Sequence, residues 1–463
     1  MTGLDRSAVG AGTVAGSGRV VAATEGSVRI GGLGEPGTVL LSGPLPSAGP
    51  EPLDDHLGRW GSLPGRDGDG VLALARASRL DGRGGGGFPL ARKLATARES
   101  GGEPVLVVNA SESEPASAKD AALGAHRPHL VLDGAALAAE ALGVSSVTVH
   151  LHRRAAAPLD GLTRAVAERR RSGHDGVTWR VSLGPDRYVA GEASAVAGFL
   201  HDGDARPRFG AAPLAVVGPS GRPTVVANAE TLAHLGVIAR LGAGPWADLG
   251  WGASPGPRLL TVTGSVGRPG HVLELTGPGT LGDVLVAGGL SAPPGAVLVG
   301  GFAGTWVDGD EAWQVPWERS ALSCLGAVPG CGLVGVLPHG ACGLVESARL
   351  VRYLAGESAG QCGTCAVGLP RLAAAMEALA AGTFRRRALR RAEALAGELL
   401  GSGACGHPDG VVRLVRSTLS VFADDVVRHL AGEPCRHADH PPVFAVPGAH
   451  RVSDGRRRGG RAT

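Results

Sequence analysis

The sequence predicts an α/β protein that gives way to a β-rich module and then to a helical C-terminal bundle. Three observations predict this succession. An apolar run at Val105–Val108, a helical pattern at Leu130–Leu142 and a second apolar run at Val147–Val149 read as strand, helix, strand. From residue 258 to about 320, short β-like runs flank turn residues. From 340 to 432, apolar residues recur at helical spacing.

Each element has its own reason. Val105–Val108 follows Pro104 and is apolar throughout, as suits a parallel strand buried on both faces. Leu130–Leu142 stops at Gly143, a residue suited to the left-handed position that closes a helix. Leu260–Val266 and His271–Leu275 flank Gly267-Arg268-Pro269-Gly270, a turn signal between two strands, and Val297–Val299 supplies a third. In the last region Leu344, Ala348, Val351 and Leu354 give one helix, and Leu372–Leu400 holds two. Val411, Val415, Leu419, Phe422, Val426 and Leu430 form one apolar stripe, which is core packing. The expected divisions are an N-terminal extension over 1–60, an α/β domain over 65–250, a β domain over 256–325 and a helical domain over 335–435. A Pro-, His- and Arg-rich tail over 436–463 is expected to be disordered.

Composition agrees with several domains. The 463 residues correspond to about three domains at ~150 residues each. Only 3% of residues are aromatic while 43% are apolar, so Val, Leu and Ala must fill the cores. The formal charge of +3 gives no field strong enough to imply nucleic acid or a membrane surface. The run Arg456–Arg458 reads as a solvated tail. There is no charged-then-apolar leader and no run of ~18 apolar residues, so a soluble cytoplasmic chain is expected. In that compartment the seven cysteines, five of them between Cys324 and Cys365, point to metal or catalysis rather than disulfides.

Three constellations carry chemistry. The first is Asp81-Gly82-Arg83-Gly84-Gly85-Gly86-Gly87-Phe88-Pro89, followed by Lys93. Glycines let a backbone approach a phosphate and aim N–H groups at it, and Arg83 and Lys93 can supply countercharge. A flexible glycine linker is the competing reading, because the buried strand follows this loop rather than precedes it. The second is Asn109-Ala110-Ser111-Glu112-Ser113-Glu114-Pro115, then Lys119-Asp120. It begins where a strand ends, and open α/β sheets bind ligands outside the carboxyl ends of their strands. A polar surface loop is the alternative. The third is Cys362-Gly363-Thr364-Cys365 with Cys405 forty residues on, a spacing used by iron–sulfur clusters and by zinc. A redox dithiol is the alternative, but the neighbourhood of these cysteines lacks a thioredoxin-like βαβ unit.

In this order the motifs resemble those of the NADH- and FMN-binding F-subunits of NADH-quinone oxidoreductase. The family's Gly-Arg-Gly-Gly-Ala-Gly-Phe-Pro, with Lys four residues later, is matched by Gly82–Pro89 and Lys93. Its Asn-Ala-Asp-Glu-Ser-Glu-Pro is matched by Asn109–Pro115. Tyr188–Ala195 retains Gly191 and Glu192 of a third motif, and Pro223–Thr231 retains Asn228, Glu230 and Thr231 of a fourth. Glu357–Cys365 follows the family's Glu-Ser-Cys-Gly-x-Cys-x-x-Cys. The similarity runs from about residue 70 to 435.

The resemblance implies a Rossmann-like FMN-binding domain, a ubiquitin-like β domain of the soluble-ligand-binding type and a helical bundle with an iron–sulfur site. It implies hydride transfer from NAD(P)H to FMN and onward passage of electrons through the cluster. No side chain is then catalytic, because the flavin carries the hydride chemistry. Gly82, Arg83, Gly84, Lys93, Asn109 and Asn228 would hold FMN, with Gly85, Tyr188, Gly191 and Thr231 completing the cofactor set. Phe88, Glu112, Glu114 and Glu192 would lie nearer NADH, and Cys362, Cys365 and Cys405 would bind the cluster. The implied partner is a ferredoxin or small 2Fe–2S protein, with a membrane redox protein reached indirectly and no nucleic acid.

The departures fall at these same sites. Ala359 stands where the family has the first cluster cysteine, and a methyl group cannot coordinate iron. That leaves a 3Fe–4S cluster, a 4Fe–4S cluster with one iron on water or on a substitute ligand such as Ser358, His407 or Cys342, or no cluster. Ser111, Ala193, Ala227 and Leu94 replace Asp, Glu, Asn and Trp. At roughly 0.5–1.5 kcal/mol for each lost hydrogen bond, three losses weaken cofactor binding on the order of a hundredfold. Two readings of function follow from the sequence. One is an electron-transfer oxidoreductase, whose donor is NAD(P)H or, in a variant of this reading, a ferredoxin. The other is a non-catalytic scaffold that has lost NADH or cluster binding.

Overall fold

A computed structural model describes residues 28–208, 212–433 and 440–447. Ten strands build two sheets: β1 (Arg29–Gly31), β2 (Val105–Asn109), β3 (Ser146–His152), β4 (Thr178–Gly184), β5 (Thr224–Asn228), β6 (Arg258–Gly264), β7 (His271–Thr276), β8 (Ala296–Val299), β9 (Thr305–Asp308) and β10 (Leu333–Leu337).

The first sheet is parallel throughout, in the order β4-β3-β2-β5. The chain steps outward from β2 to β3 and β4, then crosses back to lay β5 on the other side of β2. That reversal is the topological switch of a doubly wound sheet, and the crevice it opens lies at the carboxyl ends of β2 and β5. Both strands are covered on both faces. Leu106 and Val108 of β2, with Val225 and Ala227 of β5, enter the larger core, while Val107 and Val226 meet Val196 and Ala197 on the opposite side.

The helix Pro128–Leu142 shows how sequence sets this packing. Pro128 occupies its first turn, where a missing N–H costs nothing. Gly143 closes it at φ 67°, and the Val144 N–H reaches back to the Ala139 carbonyl. Gly134 lets the backbone of helix Ala229–Leu241 lie against it, since a Cβ there would stand 1.7 Å from the Leu232 carbonyl oxygen. Beside this crossing the buried Asp133 carboxylate binds Arg169 at 2.5 Å, Arg240 at 2.6 Å and His56 at 2.7 Å.

The second sheet has the order β1-β7-β6-β10-β8-β9 and is antiparallel except for the β6–β10 pair. The sequence sets the β module at residues 256–325, but two strands come from outside that span. β10 is an interior strand of the sheet, and the N-terminal extension contributes β1. The buried Glu274 on β7 fastens that extension by accepting hydrogen bonds from Val39, Leu40 and Leu41 N–H at 2.9, 3.1 and 3.0 Å. Burial pushes its carboxyl up to about 7.

The C-terminal region contains helices Gly343–Gly356, Leu369–Ala380, Arg385–Leu399, His407–Val421 and Ala423–Ala431. The single apolar stripe expected over 411–430 is two helices, broken at Phe422, whose φ −102° and ψ 35° are not helical. The expected tail also needs correction over 440–447. Phe444 is buried there against Phe302 and Trp306, each 6.0 Å away between ring centroids, and its N–H bonds Glu346 at 3.0 Å. One large apolar side chain suffices to dock a segment whose composition reads as disordered. Cys435, the run Arg456–Arg458 and the rest of the tail lie outside the described residues. No helix among the described residues is long and apolar enough to cross a membrane.

Candidate functional site

Asn109 and Asn228 end β2 and β5 and are register partners across the switch point. The glycine loop closes over them. Gly82 N–H bonds the Phe88 carbonyl at 3.0 Å and Leu90 N–H bonds that of Leu80 at 3.0 Å, pinching the loop at its base. Gly85 and Gly87 take φ values of 107° and 63°, the left-handed region that glycine enters without strain. At Gly84 a Cβ would stand 3.2 Å from Asn228 Cβ, so the missing side chain permits the close approach. Thr231 Oγ1 accepts from the Arg83 N–H at 2.8 Å and ties the loop to the start of helix Ala229–Leu241.

Two adjoining cavities flank this loop, one of about 490 Å³ and one of about 280 Å³. They share Gly84, Gly86, Asn109, Gly191, Glu192 and Asn228. Gly85, Glu112, Glu114 and Tyr188 line the larger, and Gly82, Phe88, Lys93 and Thr231 the smaller. Every expected cofactor-binding residue except Arg83 is therefore on the wall of one of these two cavities. Arg83 was expected to supply countercharge, but its guanidinium turns away and donates to the Pro255 carbonyl at 3.1 Å. The backbone of the loop, not this charge, faces the crevice.

Several of these side chains are already engaged. Asn109 Nδ2 donates to the Gly191 carbonyl at 2.9 Å, and its Oδ1 accepts from Ser111 N–H at 3.1 Å. Asn228 Nδ2 donates to Asp120 at 2.6 Å while its Oδ1 caps Glu230 N–H at 3.1 Å. Glu192 caps helix Ala193–Asp202 by accepting from the N–H groups of Ser194 and Ala195 at 2.8 and 3.1 Å. Lys93 Nζ donates to the Val226 carbonyl at 3.0 Å, and burial lowers its pKa. These residues shape the crevice as much as they offer groups to it.

A buried acid cluster forms the far wall. Burial, with Asp120 adding, raises Glu112 to about 7. Burial likewise raises Glu114 to about 7, against hydrogen bonds from Phe302 N–H at 2.8 Å and Tyr188 hydroxyl at 3.2 Å. Both bonds go to Oε2, and Oε1 is buried without a partner. Lys119 sits 3.0 Å from Asp120 and 2.9 Å from Glu230. Burial would raise Glu230, but Lys119 and His234 carry it down to about 2. An orphaned carboxylate oxygen beside a glycine cradle at a switch point is what a bound polar ligand would satisfy, so these residues fit FMN.

The cysteines lie beside the same cavity. Cys405 and His407 are on its wall with Cys331 and Gly300. Thr364 Oγ1 donates to the Ser402 carbonyl at 3.0 Å and joins the Cys362–Cys365 turn to the loop before Cys405. Burial, with the nearby Cys362 and Cys405 charges, pushes the Cys365 thiol up to about 12. Burial alone would raise Cys362, but backbone N–H groups of Ala404 and Cys365 lower it. Among the described residues no group of three or more His, Cys, Asp or Glu stands ready for a single metal ion. Cys362, Cys365 and Cys405 stand near enough for their charges to act on one another, and they lack the closed ligand set of structural zinc. Of the candidate substitutes, Cys342 lies 3.6 Å from His429 and caps Val345 N–H. His407 bonds the Leu354 carbonyl at 2.8 Å through Nε2, and its Nδ1 is buried without a partner. Sequence reasoning left Cys331, Gly300 and Arg413 out of the cavity, because no local motif marks residues that arrive from the second sheet and the C-terminal helices.

Comparison with known proteins follows the same lines. A family model described as the Nuo51 FMN-binding domain matches residues 75–236, and one described as the NADH-ubiquinone oxidoreductase-F iron-sulfur binding region matches residues 346–429. An NADH-quinone oxidoreductase F-subunit of Rhizobium meliloti is 28% identical over 79% of this chain and 90% of that protein. The F-subunit of Streptomyces coelicolor is 29% identical over 79% of this chain and 84% of that protein. A crystal structure of NAD+-reducing NiFe hydrogenase in the H2-reduced state superposes with a TM-score of 0.73 at 32% identity, covering 80% of this chain. The chain spans 64% of the length of that hydrogenase chain.

Proposed function

Because the chain belongs to the family of NADH-quinone oxidoreductase F-subunits, we propose that it passes electrons from NAD(P)H through FMN and an iron–sulfur cluster to another redox protein of its complex. The observation that carries this reading is the shared wall: Cys405 lines the same cavity as Asn109, Asn228 and the glycine loop. FMN, when bound, supplies the conversion of hydride into single electrons, and the cluster supplies single-electron carriage. The chain's own residues do the rest. Gly82, Gly84 and Gly85 present backbone at the crevice, and Asn109 and Asn228 hold the two strand ends in register. Glu192 and Thr231 fix the flanking helix starts. Phe88, half exposed on the rim with the Arg92 guanidinium 5.3 Å over its ring, offers an aromatic face to the donor. Glu114 has a pKa near neutrality and a free Oε1, so it can hold or release a proton inside the cavity. Cys362, Cys365 and Cys405 hold the cluster. The acceptor is a ferredoxin or a small 2Fe–2S protein, and the assembly works in the cytoplasm or reaches a membrane through its partners.

The test is to purify the chain without oxygen and follow its visible spectrum as NADH is added. Flavin absorbance that bleaches on mixing supports the reading. A second reading has its own support, because Ala359, Ala193 and Ala227 each remove a polar group from these sites. A protein that stays colourless after reconstitution with FMN, iron and sulfide is a scaffold that kept the fold without the electron transfer.

A further inference from the structure

Behind the glycine loop lies a third cavity, of about 380 Å³, that none of the chemistry above uses. Three arginines line it, Arg83, Arg258 and Arg319. Arg83 is only 9% exposed and its Nε has no hydrogen-bond partner. A buried guanidinium nitrogen of Arg258, Nη1, is also without one. Leaving a buried donor unpaired is unfavourable, and more so when it is charged. The wall also carries Asp81 and Glu230, but Glu230 is held by Lys119 at 2.9 Å. None of the three arginines makes an ion pair among the described residues. Arg319 stands close enough to Arg83 for its charge to add to the burial that lowers Arg83 to about 10, against the pull of Glu230 and Asp81.

Two orphaned guanidinium nitrogens and a third guanidinium around one cavity are an unfavourable arrangement in an empty protein. An oxyanion with several acceptor oxygens removes both the missing hydrogen bonds and the repulsion, and the guanidinium fork matches phosphate geometry in particular. We infer that this cavity binds the phosphate of a small phosphorylated ligand, at a place separate from the flavin crevice. The cavity shares Gly82 with the smaller flavin-side cavity and Gly330 and Cys331 with the larger one. An anion held there braces Arg83, whose N–H anchors the glycine loop to Thr231.

The probe is inorganic phosphate, titrated calorimetrically into the full chain at constant ionic strength, with and without saturating FMN and then NADPH. Arg319 is exposed, so Arg319→Gln leaves the fold intact, and Arg258→Gln is the second variant. The expected result is one phosphate per chain in the presence of FMN and NADPH, at least ~10-fold weaker in either variant, with flavin content unchanged in Arg319→Gln. Equal binding by wild type and both variants, or none by the wild type, overturns the site. Binding that disappears when FMN or NADPH is added assigns the arginines to that cofactor's own phosphate and overturns the separate ligand.

Discussion

Replacing Glu114 by Gln tests whether burial sets the chemistry of the cavity. The folded carboxyl titrates at about 7, against 4.5 for the free group. A raised folded pKa means the contribution to stability is fully present below about 4.5 and is lost as pH rises through about 7. The shift of ~2.5 units, at ~1.4 kcal/mol per unit, sets an upper loss of about 3 kcal/mol. Integrated only between about pH 5 and about pH 8, the loss is about 2–3 kcal/mol. The side chain is 8% exposed, so solvent screening does not reduce this figure. Glutamine keeps an acceptor for Phe302 N–H and the Tyr188 hydroxyl and cannot ionise. Any fixed cost of its amide is independent of pH. The assay is urea unfolding of the cofactor-free protein, followed by tryptophan fluorescence, across that range. Glu112 and Glu274 also titrate near 7 and keep some pH dependence in the variant. The difference between the two proteins therefore reports Glu114 together with its charge coupling to Glu112, and wild-type and Glu114→Gln stabilities that run parallel with pH would refute the reasoning.

Other changes test the fold and the cluster. Asp133→Asn strips the charge shared by Arg169, Arg240 and His56, and is expected to cost ~3–5 kcal/mol in chemical denaturation. Phe444→Ala empties the space against Phe302 and Trp306 and is expected to cost ~3–5 kcal/mol, read as earlier unfolding and faster proteolysis near the C-terminus. Ala359→Cys supplies a fourth thiol. If the wild type holds three irons, iron per chain should rise, with a four-iron signal by electron paramagnetic resonance; both proteins remaining free of iron after reconstitution would show that the Cys362–Cys365 turn does not ligate.

Much of this structure is legible in the sequence because its signals are local. Val105–Val108 and Leu130–Leu142 carry strand and helix patterns complete in themselves. The glycine loop and the Asn109 segment declare themselves because close backbone approach and strand-end polarity each need particular residue types in a row. What escaped is non-local. Nothing in Arg29–Gly31 announces a partner on β7, and nothing in Leu333–Leu337 announces an interior place beside β6. Arg83 sits within a readable motif, yet its side-chain direction is decided by Pro255 and by burial, which lie far off in sequence. The break at Phe422 escaped for a different reason: a stripe with helical period continues across it because both helices face the same core.

The strand order also governs when the site can exist. Gly31 must wait for Glu274, 243 residues later (274 minus 31), before β1 has a neighbour. At roughly 5–20 residues per second of synthesis, that is a delay of roughly 10–50 s. β2 to β5 emerge together and can associate first, but the larger cavity also needs Cys331, His407 and Arg413. The nascent chain thus exposes the crevice rim before it owns the opposite wall. A ligand that needs every wall of that cavity is loaded only once Arg413 has been made, and a truncation that spares every motif up to Thr231 would still leave the cavity without its far side.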